Sequence, residues 1–342
     1  MSGGVDSSVA AALLKNRGFE VIGITMQIRE RFEDWESSDD IEDARGVAAK
    51  LRIPHYVVNF RDIFKEKVIA NFCKEYGKGR TPNPCIRCNR YIKFGIFLKK
   101  AKELGADYIA TGHYAKIEYN QDKKKYLLKK GVDPKKDQSY VLYTMTQKQL
   151  KQTLMPLGEF TKEKIRAIAQ ELDLPVAERS ESQEICFIPD NNYPKFLQKY
   201  LQEAARPGPI LDREGNILGE HRGILFYTIG QRKRVGLSAK EPLYVIAIDK
   251  KKNAIVVGKK EEVYTKKLIA ASVHYIALEK PEDSMEVKAK VRYLHQAAEA
   301  VLSPLTGERA RVEFREPQWA ITPGQAVVFY DGDTVIGGGT IE

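Results

Sequence analysis

Ser2-Gly3-Gly4-Val5-Asp6-Ser7-Ser8 stands directly ahead of an apolar helical run, SSVAAALLKNR. Two glycines let the backbone come close to an anion, and hydroxyls at Ser2, Ser7 and Ser8 can donate to it. The helix behind would aim its unpaired N–H groups and its dipole at the same point. This is the make-up of a phosphate cradle, though not of a Walker loop, since no Gly-Lys-Ser/Thr follows. The plainer alternative is a Ser/Gly-rich helix cap. Sulfur is the second chemical theme, with 4 cysteines in the chain. Cys73, beside Phe72 on an apolar helical pattern, reads as core filler. Cys85 and Cys88 lie in Asn83-Pro84-Cys85-Ile86-Arg87-Cys88-Asn89, and Cys186 lies in Ser180-Glu181-Ser182-Gln183-Glu184-Ile185-Cys186-Phe187. The C-x-x-C pair is half a zinc site without its second pair, so zinc through Cys85, Cys88, Cys186 and a histidine stays open. Flanked by Arg87, Arg90 and Lys93 near a helix start, a cysteine here is expected to have a depressed pKa and to react as a thiolate. Two thiolates from distant parts of one chain, one activating and one carrying sulfur, are the parts that persulfide chemistry needs.

Regular elements must hold these groups in place. Residues 7–17 read as a helix closed by Gly18, 20–27 as a buried strand, and 38–52 as a helix with Ser37 and Asp40 at capping-box spacing and Pro54 as its stop. Residues 55–59 read as a strand, 61–76 as a helix, 77–85 as a Gly/Pro loop, 89–104 as a helix ending at Gly105, and 107–113 as a third strand. Strands alternating with helices of this length predict βαβ units and an α/β, doubly wound parallel sheet. In such a sheet a phosphate loop follows the first, central strand. Only Met1 precedes it here, so that strand is expected to be missing and the nucleotide site weakened. Beyond residue 115 the alternation breaks into a hairpin, KIEYNQDKKKYLLKK, and a helix over 161–172. From Pro207 onward, short alternating runs with turn signals predict small β-rich modules, most simply barrels. The expected division is a nucleotide domain over 1–195, a central β-rich module over 196–260 and a C-terminal β-barrel over 261–342.

The 342 residues are 43% hydrophobic and 30% charged, which suits a soluble globular protein. No run reaches the roughly 18–20 apolar residues of a membrane helix, and no charged-then-apolar leader is present. So few cysteines cannot form a disulfide scaffold, and a reducing, cytoplasmic setting is expected. The net charge of +10 is unevenly spread, with residues 61–100 holding 11 basic and 3 acidic groups while 1–60 hold 7 and 10. Further basic stretches lie at 121–152 and 222–252. Three such stretches suggest a polyanion larger than a nucleotide, against the alternative of a solvated lysine-rich face.

The N-terminal loop resembles the pyrophosphatase-type loop, SGGxDS, of enzymes that cleave ATP between the α and β phosphates and activate a carbonyl oxygen as an adenylate. With MSGGVDSSVAA, GITM, TPNPCIRCNRYIKFG, YIATGHYA, KKDQSYVLY, ESQEICFIP and GILFYTIGQRKRVGL in this order, the chain resembles the tRNA-specific 2-thiouridylase family over nearly its whole length. That resemblance implies a reaction with ATP and Mg2+. The 2-oxygen of the wobble uridine in tRNAs for Lys, Glu and Gln is adenylated, pyrophosphate and then AMP leave, and a cysteine persulfide delivers sulfur to give 2-thiouridine. It implies that Met1, Ser2, Gly3, Gly4, Val5, Asp6 and Ser7 bind ATP, with Asp6 acting at the magnesium–pyrophosphate end. Met26 would contact the adenine or ribose, and Gly112 would let the nucleotide approach. Asn83, Pro84 and Cys85 would lie against the target base. Cys88 would be the nucleophile and Cys186 the persulfide carrier, the two closing as a transient disulfide after transfer. His113, Lys136, Asp137, Gln138, Arg292, Tyr293 and Gln325 would contact tRNA. A sulfur donor such as a cysteine desulfurase or a sulfur-relay protein is the implied partner.

Many family members carry aspartate where this chain has Cys85, and three cysteines could instead hold an iron–sulfur cluster with one open iron. Several of these residues also have ordinary structural readings. Met26 could be strand core, His113 could satisfy a buried hydrogen bond, Lys136 to Gln138 could be a turn after Asp133-Pro134, and Tyr293 and Gln325 could be barrel-rim polar groups. Two other functions compete. A small-molecule synthetase with the same ATP loop would need neither the cysteines nor the basic β modules. A zinc-stabilised RNA-binding protein without catalysis would leave the loop without purpose.

Overall fold

The structure, a computed structural model, describes residues 1–28, 38–180, 185–188, 192–201, 205–239 and 241–342. Ser37 and Glu181 to Glu184, named above in a cap and beside Cys186, lie outside the described residues. The chain divides into two compact units. One comprises Met1–Val68, Cys85–Phe187 and Asp333–Val335; the other comprises Ile69–Pro84, Ile188–Gly332 and Ile336–Glu342.

In the first unit β1 (Gly23–Gln27) pairs in parallel with β2 (His55–Asn59), Gly23 opposite His55 and Gln27 opposite Asn59. Strand β3 (Ile109–Ala110) is followed by the hairpin β4 (Ala115–Asn120) and β5 (Lys125–Lys130), and β3 pairs in parallel with β6 (Thr153–Leu154). The parallel strands thus form two pairs. The other side of β1 carries Met1, whose amine donates to the Ile24 carbonyl and whose own carbonyl accepts from Thr25 Oγ1 at 2.8 Å. The strand expected over 107–113 shrinks to two residues because Thr111 to Tyr114 leave the ladder to make side-chain contacts described below.

Helix α1 (Val5–Asn16) is apolar on most sides, with Val9 fully buried and Ala10, Ala11 and Ala12 nearly so. Small side chains let neighbours approach closely. Val47 of α2 (Ser38–Leu51) and Ile165 and Ala169 of α3 (Lys162–Glu171) fill the space around Val5, Val9 and Ala10, together with Tyr114 and Leu157. This packing fixes the start of α1, and so the loop ahead of it. Truncating Ile165 to alanine there would cost about 2–5 kcal/mol.

The helix expected over 89–104 begins earlier, at Pro84, whose fixed φ and missing N–H suit a first turn. Pro84–Arg87 is α-helical, Cys88–Phe97 is π-helical and Leu98–Glu103 is α-helical again. Cys85 and Cys88 therefore sit on helix rather than on loop. Asn89, 2% exposed, donates to the Val141 carbonyl, and Gln149 donates to that of Phe94, which anchors the wide turns from outside.

In the second unit a four-stranded sheet joins β7 (Gly208–Leu211), β8 (Ile217–His221), β9 (Tyr244–Asp249) and β10 (Ala254–Gly258) in the order β8-β7-β10-β9. Ile210, Tyr227, Val245 and Ile255 form its core. A barrel follows, built from β11 (Tyr264–Tyr275), β12 (Met285–Lys290), β13 (Ala298–Pro304), β14 (Ala310–Trp319), β15 (Ala326–Asp331) and β16 (Thr334–Ile341). Its order is β11-β14-β13-β12-β15-β16, and pairing of β11 with β16 closes it. Along β14, Ala310, Val312 and Phe314 point into the core while Arg311, Glu313 and Arg315 point out, the two-residue period that the sequence carries.

Candidate active site

The phosphate loop is held from three sides within the first unit. Ser7 and Ser8 donate through Oγ to the Gly4 carbonyl at 3.1 and 2.9 Å, and the Ser2 amide donates to Ser7 Oγ at 3.1 Å. Gly4 caps α1 in extended conformation, and Gly3 has φ +72°, which a side chain would strain. A Cβ on Gly3 would also fall 2.4 Å from the Asp40 carbonyl. Arg179 donates to the Gly3 carbonyl at 3.0 Å while pairing with Asp40 and Asp43 of α2.

Asp6 is the chemical centre of this loop. Its Oδ1 accepts from the Tyr114 hydroxyl at 2.6 Å and from Lys162 Nζ at 2.7 Å. Lys162 is 6% exposed, and its ammonium lies 5.8 Å from the centre of the Tyr114 ring. Both bonds fall on Oδ1, so Oδ2 keeps its lone pairs for a cation or a phosphate-bound water. Neither Lys162 nor Tyr114 was singled out from the sequence. A signal for Lys162 did exist: a lysine in the first turn of a helix faces the positive end of the dipole and calls for an anionic partner.

Gly112 touches the loop rather than an open space. A Cβ there would stand 2.8 Å from the Asp6 carbonyl carbon and 2.9 Å from the Ser7 amide. Met26 is half-buried on β1, and Val5 is part of the core under α1. The loop after β5 is built by its own acids. Asp137 accepts from the Gly131 and Ser139 amides and from Ser139 Oγ, and Gln138 exchanges bonds with the Tyr114 backbone. Asp133 accepts from the amides of Lys135 and Lys162, and Lys136 is half-buried beside it.

The cysteines differ among themselves. All four are thiols: Cys73 and Cys88 are buried, and Cys85 and Cys186 are exposed. The depressed thiol expected from three flanking cations is not found. Burial pushes the Cys88 thiol up, Lys93 opposes it, and Cys85 adds a further upward push. At Cys85 the same crowding by surrounding chain raises the thiol, again against Lys93. Arg87 and Arg90 lie over the Tyr91 ring, at 4.7 and 5.3 Å from its centre. Next to Cys186, Phe187 is buried against Phe64 with ring centres 5.6 Å apart. His113, 6% exposed, bonds Thr111 Oγ1 at 2.8 Å through Nδ1 and meets Lys93 Nζ at 3.4 Å through Nε2. Among the described residues no three His, Cys, Asp or Glu side chains gather to hold a metal, so Cys85, Cys88 and Cys186 do not form the ligand set that an iron–sulfur cluster or zinc would take. A cavity of about 420 Å³ beyond β2, lined by Phe60, Ile63, Ile96 and Lys99 among others, includes none of the expected site residues.

The remaining expected residues belong to the second unit. Gln325 Nε2 donates to the Thr81 carbonyl at 2.9 Å, and the Thr81 amide donates to the Pro323 carbonyl at 2.9 Å. The barrel end therefore holds the loop that runs into Asn83 and Pro84. Arg292 Nη2 reaches the carbonyls of Ile229 and Ala320 and Thr322 Oγ1, and the Tyr293 ring lies under Lys290 at 5.6 Å.

A phosphate loop capped by a buried lysine, on a parallel α/β unit followed by two β modules, defines a nucleotide-dependent enzyme class rather than a simple binding module. Residues 1–190 match the family profile described as tRNA methyl transferase HUP domain, 194–259 the tRNA methyl transferase PRC-barrel domain, and 265–341 the aminomethyltransferase β-barrel domain. The chain is 54% identical over 350 residues to tRNA-specific 2-thiouridylase MnmA 1 of Caldanaerobacter subterraneus subsp. tengcongensis, covering 100% of this chain and 96% of that one. It is 53% identical over 356 residues to tRNA-specific 2-thiouridylase MnmA of Acetivibrio thermocellus, covering 100% and 98%. The enzyme of the same name from Pelotomaculum thermopropionicum is 54% identical over 350 residues, covering 100% and 96%. The chain belongs to the tRNA-specific 2-thiouridylase family.

Proposed function

We propose that this protein forms 2-thiouridine in tRNA, with ATP as the activating substrate and a cysteine persulfide as the sulfur source. The observation that carries the reading is the segment Thr111 to Tyr114. It meets the phosphate loop through Gly112 and Tyr114, and it meets the cysteine-bearing helix through His113 and Lys93. An ATP-cleaving loop and a thiol helix braced by one strand end suit a reaction in which adenylation and sulfur transfer occur on one base.

The uracil 2-oxygen attacks the α-phosphate of ATP, the bond to the β-phosphate breaks, and pyrophosphate leaves. The terminal sulfur of a Cys186 persulfide attacks C2, and AMP leaves with the oxygen. The Cys88 thiolate then attacks Cys186 Sγ, which frees the thiolated base and leaves a Cys88–Cys186 disulfide for a cellular dithiol to reduce. Adenylation makes the oxygen a competent leaving group, and exclusion of water protects the adenylate. Asp6 would hold Mg2+ through its carboxylate, and the bound ion would supply positive charge for the leaving pyrophosphate. Lys162 is a fixed cation at the same carboxylate and orients it.

The residues from Met1 to Ser7, with Met26 and Gly112, make up the nucleotide site in this reading. Asn83, Pro84 and Cys85 face the base, Lys136, Asp137, Gln138, Arg292, Tyr293 and Gln325 form the wider tRNA-facing set, and buried His113 serves that set from within through Lys93. The substrates are the tRNAs for Lys, Glu and Gln, the donor is a cysteine desulfurase or relay protein, the setting is the cytoplasm, and the parts run 1–195, 196–260 and 261–342. The resemblance described above supports these assignments. A wobble base in a single-stranded loop can leave its stack at low cost, which suits an enzyme that must reach C2.

The test is incubation with unmodified tRNA, ATP, Mg2+ and a persulfide donor, followed by digestion and mass spectrometry. The expected product is 2-thiouridine, abolished by Cys186→Ala or Cys88→Ala and retained by Cys85→Ala. Absence of the modified base under both aerobic and anaerobic conditions would overturn the reading.

A further inference from the structure

Among the described residues, the basic side chains around the cysteine pair differ in what they meet. Arg87 donates through Nε to the Lys67 carbonyl at 2.8 Å, and with Arg90 it lies over the Tyr91 ring. Lys93 follows Cys88 by five positions within the π-helical stretch Cys88–Phe97. In a π-helix the hydrogen-bond repeat is i to i+5, so residues five apart stack on one face. Lys93 is the cation that acts on both Cys85 and Cys88, and on both it opposes the effect of burial.

His113 holds this lysine. An ammonium has only donors, so the 3.4 Å contact makes His113 Nε2 the acceptor. The ring proton then sits on Nδ1 and is donated to Thr111 Oγ1 at 2.8 Å. Burial, and then the charge of Lys93, keep the imidazole neutral. The Phe94 ring, with its centre 5.9 Å from that of His113, closes one side.

We propose that Lys93 is the positioning cation of the Cys85/Cys88 thiol pair and that neutral His113 is the residue that holds it there. The proposal rests on Cys88 being the reacting thiol, and it gives His113 a task inside the protein. Among the described groups, Lys93 acts on both thiols and His113 meets Lys93, while Arg87 and Arg90 lie over the Tyr91 ring. An ammonium beside a thiol favours its thiolate and orders the negative charge on one side of the sulfur. A neutral imidazole supplies the acceptor that keeps the flexible lysine chain in that place without adding a competing charge.

The test follows the 13Cβ resonances of the four cysteines in the full-length protein as pH is raised, with assignments from single Cys→Ser variants. Lys93→Met should raise the Cys88 midpoint by on the order of one pH unit, and Lys93→Arg should keep it near the parent value. His113→Asn should move it the same way by a smaller amount. Cys73, whose thiol burial pushes up to about 11, is the internal control and should stay put. If Lys93→Met does not fold, Lys93→Gln takes its place with the same expectation. An unchanged Cys88 midpoint in a folded, charge-neutral Lys93 variant overturns the proposal. Failure of the underlying reading looks different: Cys88→Ala would still make 2-thiouridine, whatever the titration of Cys88 in the parent protein.

Discussion

The Tyr114 hydroxyl donates to Asp6 Oδ1 at 2.6 Å across 108 positions of chain. A residue four positions beyond a two-residue strand thereby orients the acid of the phosphate loop, and Lys162 completes the arrangement from the first turn of α3. Asp6→Asn removes the charge meant for the pyrophosphate end, and ATP cleavage should fall at least about 100-fold. Lys162→Met leaves the carboxylate without its cation. Because Asp6 is about one-third exposed, the cost should be roughly 1–3 kcal/mol, below the value for a fully buried pair. Pyrophosphate release and thermal melts would read both effects, and a Lys162→Met protein indistinguishable from the parent in both would refute the arrangement.

Gly112→Ala places a methyl 2.8 Å from the Asp6 backbone, where it cannot fit without moving the loop. A shift of about 1 Å in a reacting group can cost about 100-fold. The expected result is a loss of at least tenfold in kcat/KM for ATP. Full activity in the variant would show that the loop tolerates displacement.

Stability should fall as pH drops below neutrality. His113 and His221 both have pKa values lowered from the ordinary one near 6.5, chiefly by burial. His221 spends both ring nitrogens on neutral bonds, one with the Asn253 carbonyl at 2.8 Å and one from the Gly223 amide at 3.0 Å. The unfolded chain takes up protons below about pH 6.5 while the folded protein does not. Their contribution is thus complete above that pH and is lost progressively toward the lower folded values. Urea midpoints measured at pH 7, 6 and 5 should decline in that order. Equal midpoints would rule the coupling out.

Binding of tRNA should depend steeply on salt. Phosphate contacts release counterions, so six or more of them would weaken binding by about 1,000-fold between 50 and 200 mM salt. Charge reversal at Lys136 should reduce the slope of log Kd against log salt, and a flat profile would count against a polyanion substrate.

Gln325→Ala removes the bond from the barrel end to the Thr81 carbonyl. Hydrogen exchange over Gly79–Asn83 should quicken by about tenfold, the equivalent of one ordinary hydrogen bond. Unchanged exchange in that loop would leave Gln325 without an anchoring task.

Local patterns in the chain read well where the physics is local. The run after Asp6 is helix because its alanines and leucines are strong helix formers with no breaker before Gly18, and the alternation Ala310, Val312, Phe314 is strand because one face of it must be buried. The loop Ser2 to Ser7 announces itself through glycines and hydroxyls ahead of a helix. Other features were not legible. The wide turns at Cys88–Phe97 are held by Asn89 donating to the Val141 carbonyl and by Gln149 donating to the Phe94 carbonyl, and no helical pattern predicts a change of pitch. The three cations beside Cys88 look equivalent in the chain, yet Tyr91 takes two of them.

What the linear order of residues carries is composition at short range: which segments are helix or strand, which loop can cradle an anion, and which cysteines are set among basic groups. The family follows from the order of those segments, because each constrains chemistry locally and their combination is specific. The partners of the chemical groups are a matter of the folded chain. Asp6 meets Lys162 across 156 positions, His113 turns inward to Lys93, and Cys88 is buried so that its thiol is pushed up rather than down. Charge and burial act through distance and dielectric, and both are properties of packed neighbours rather than of neighbours in sequence.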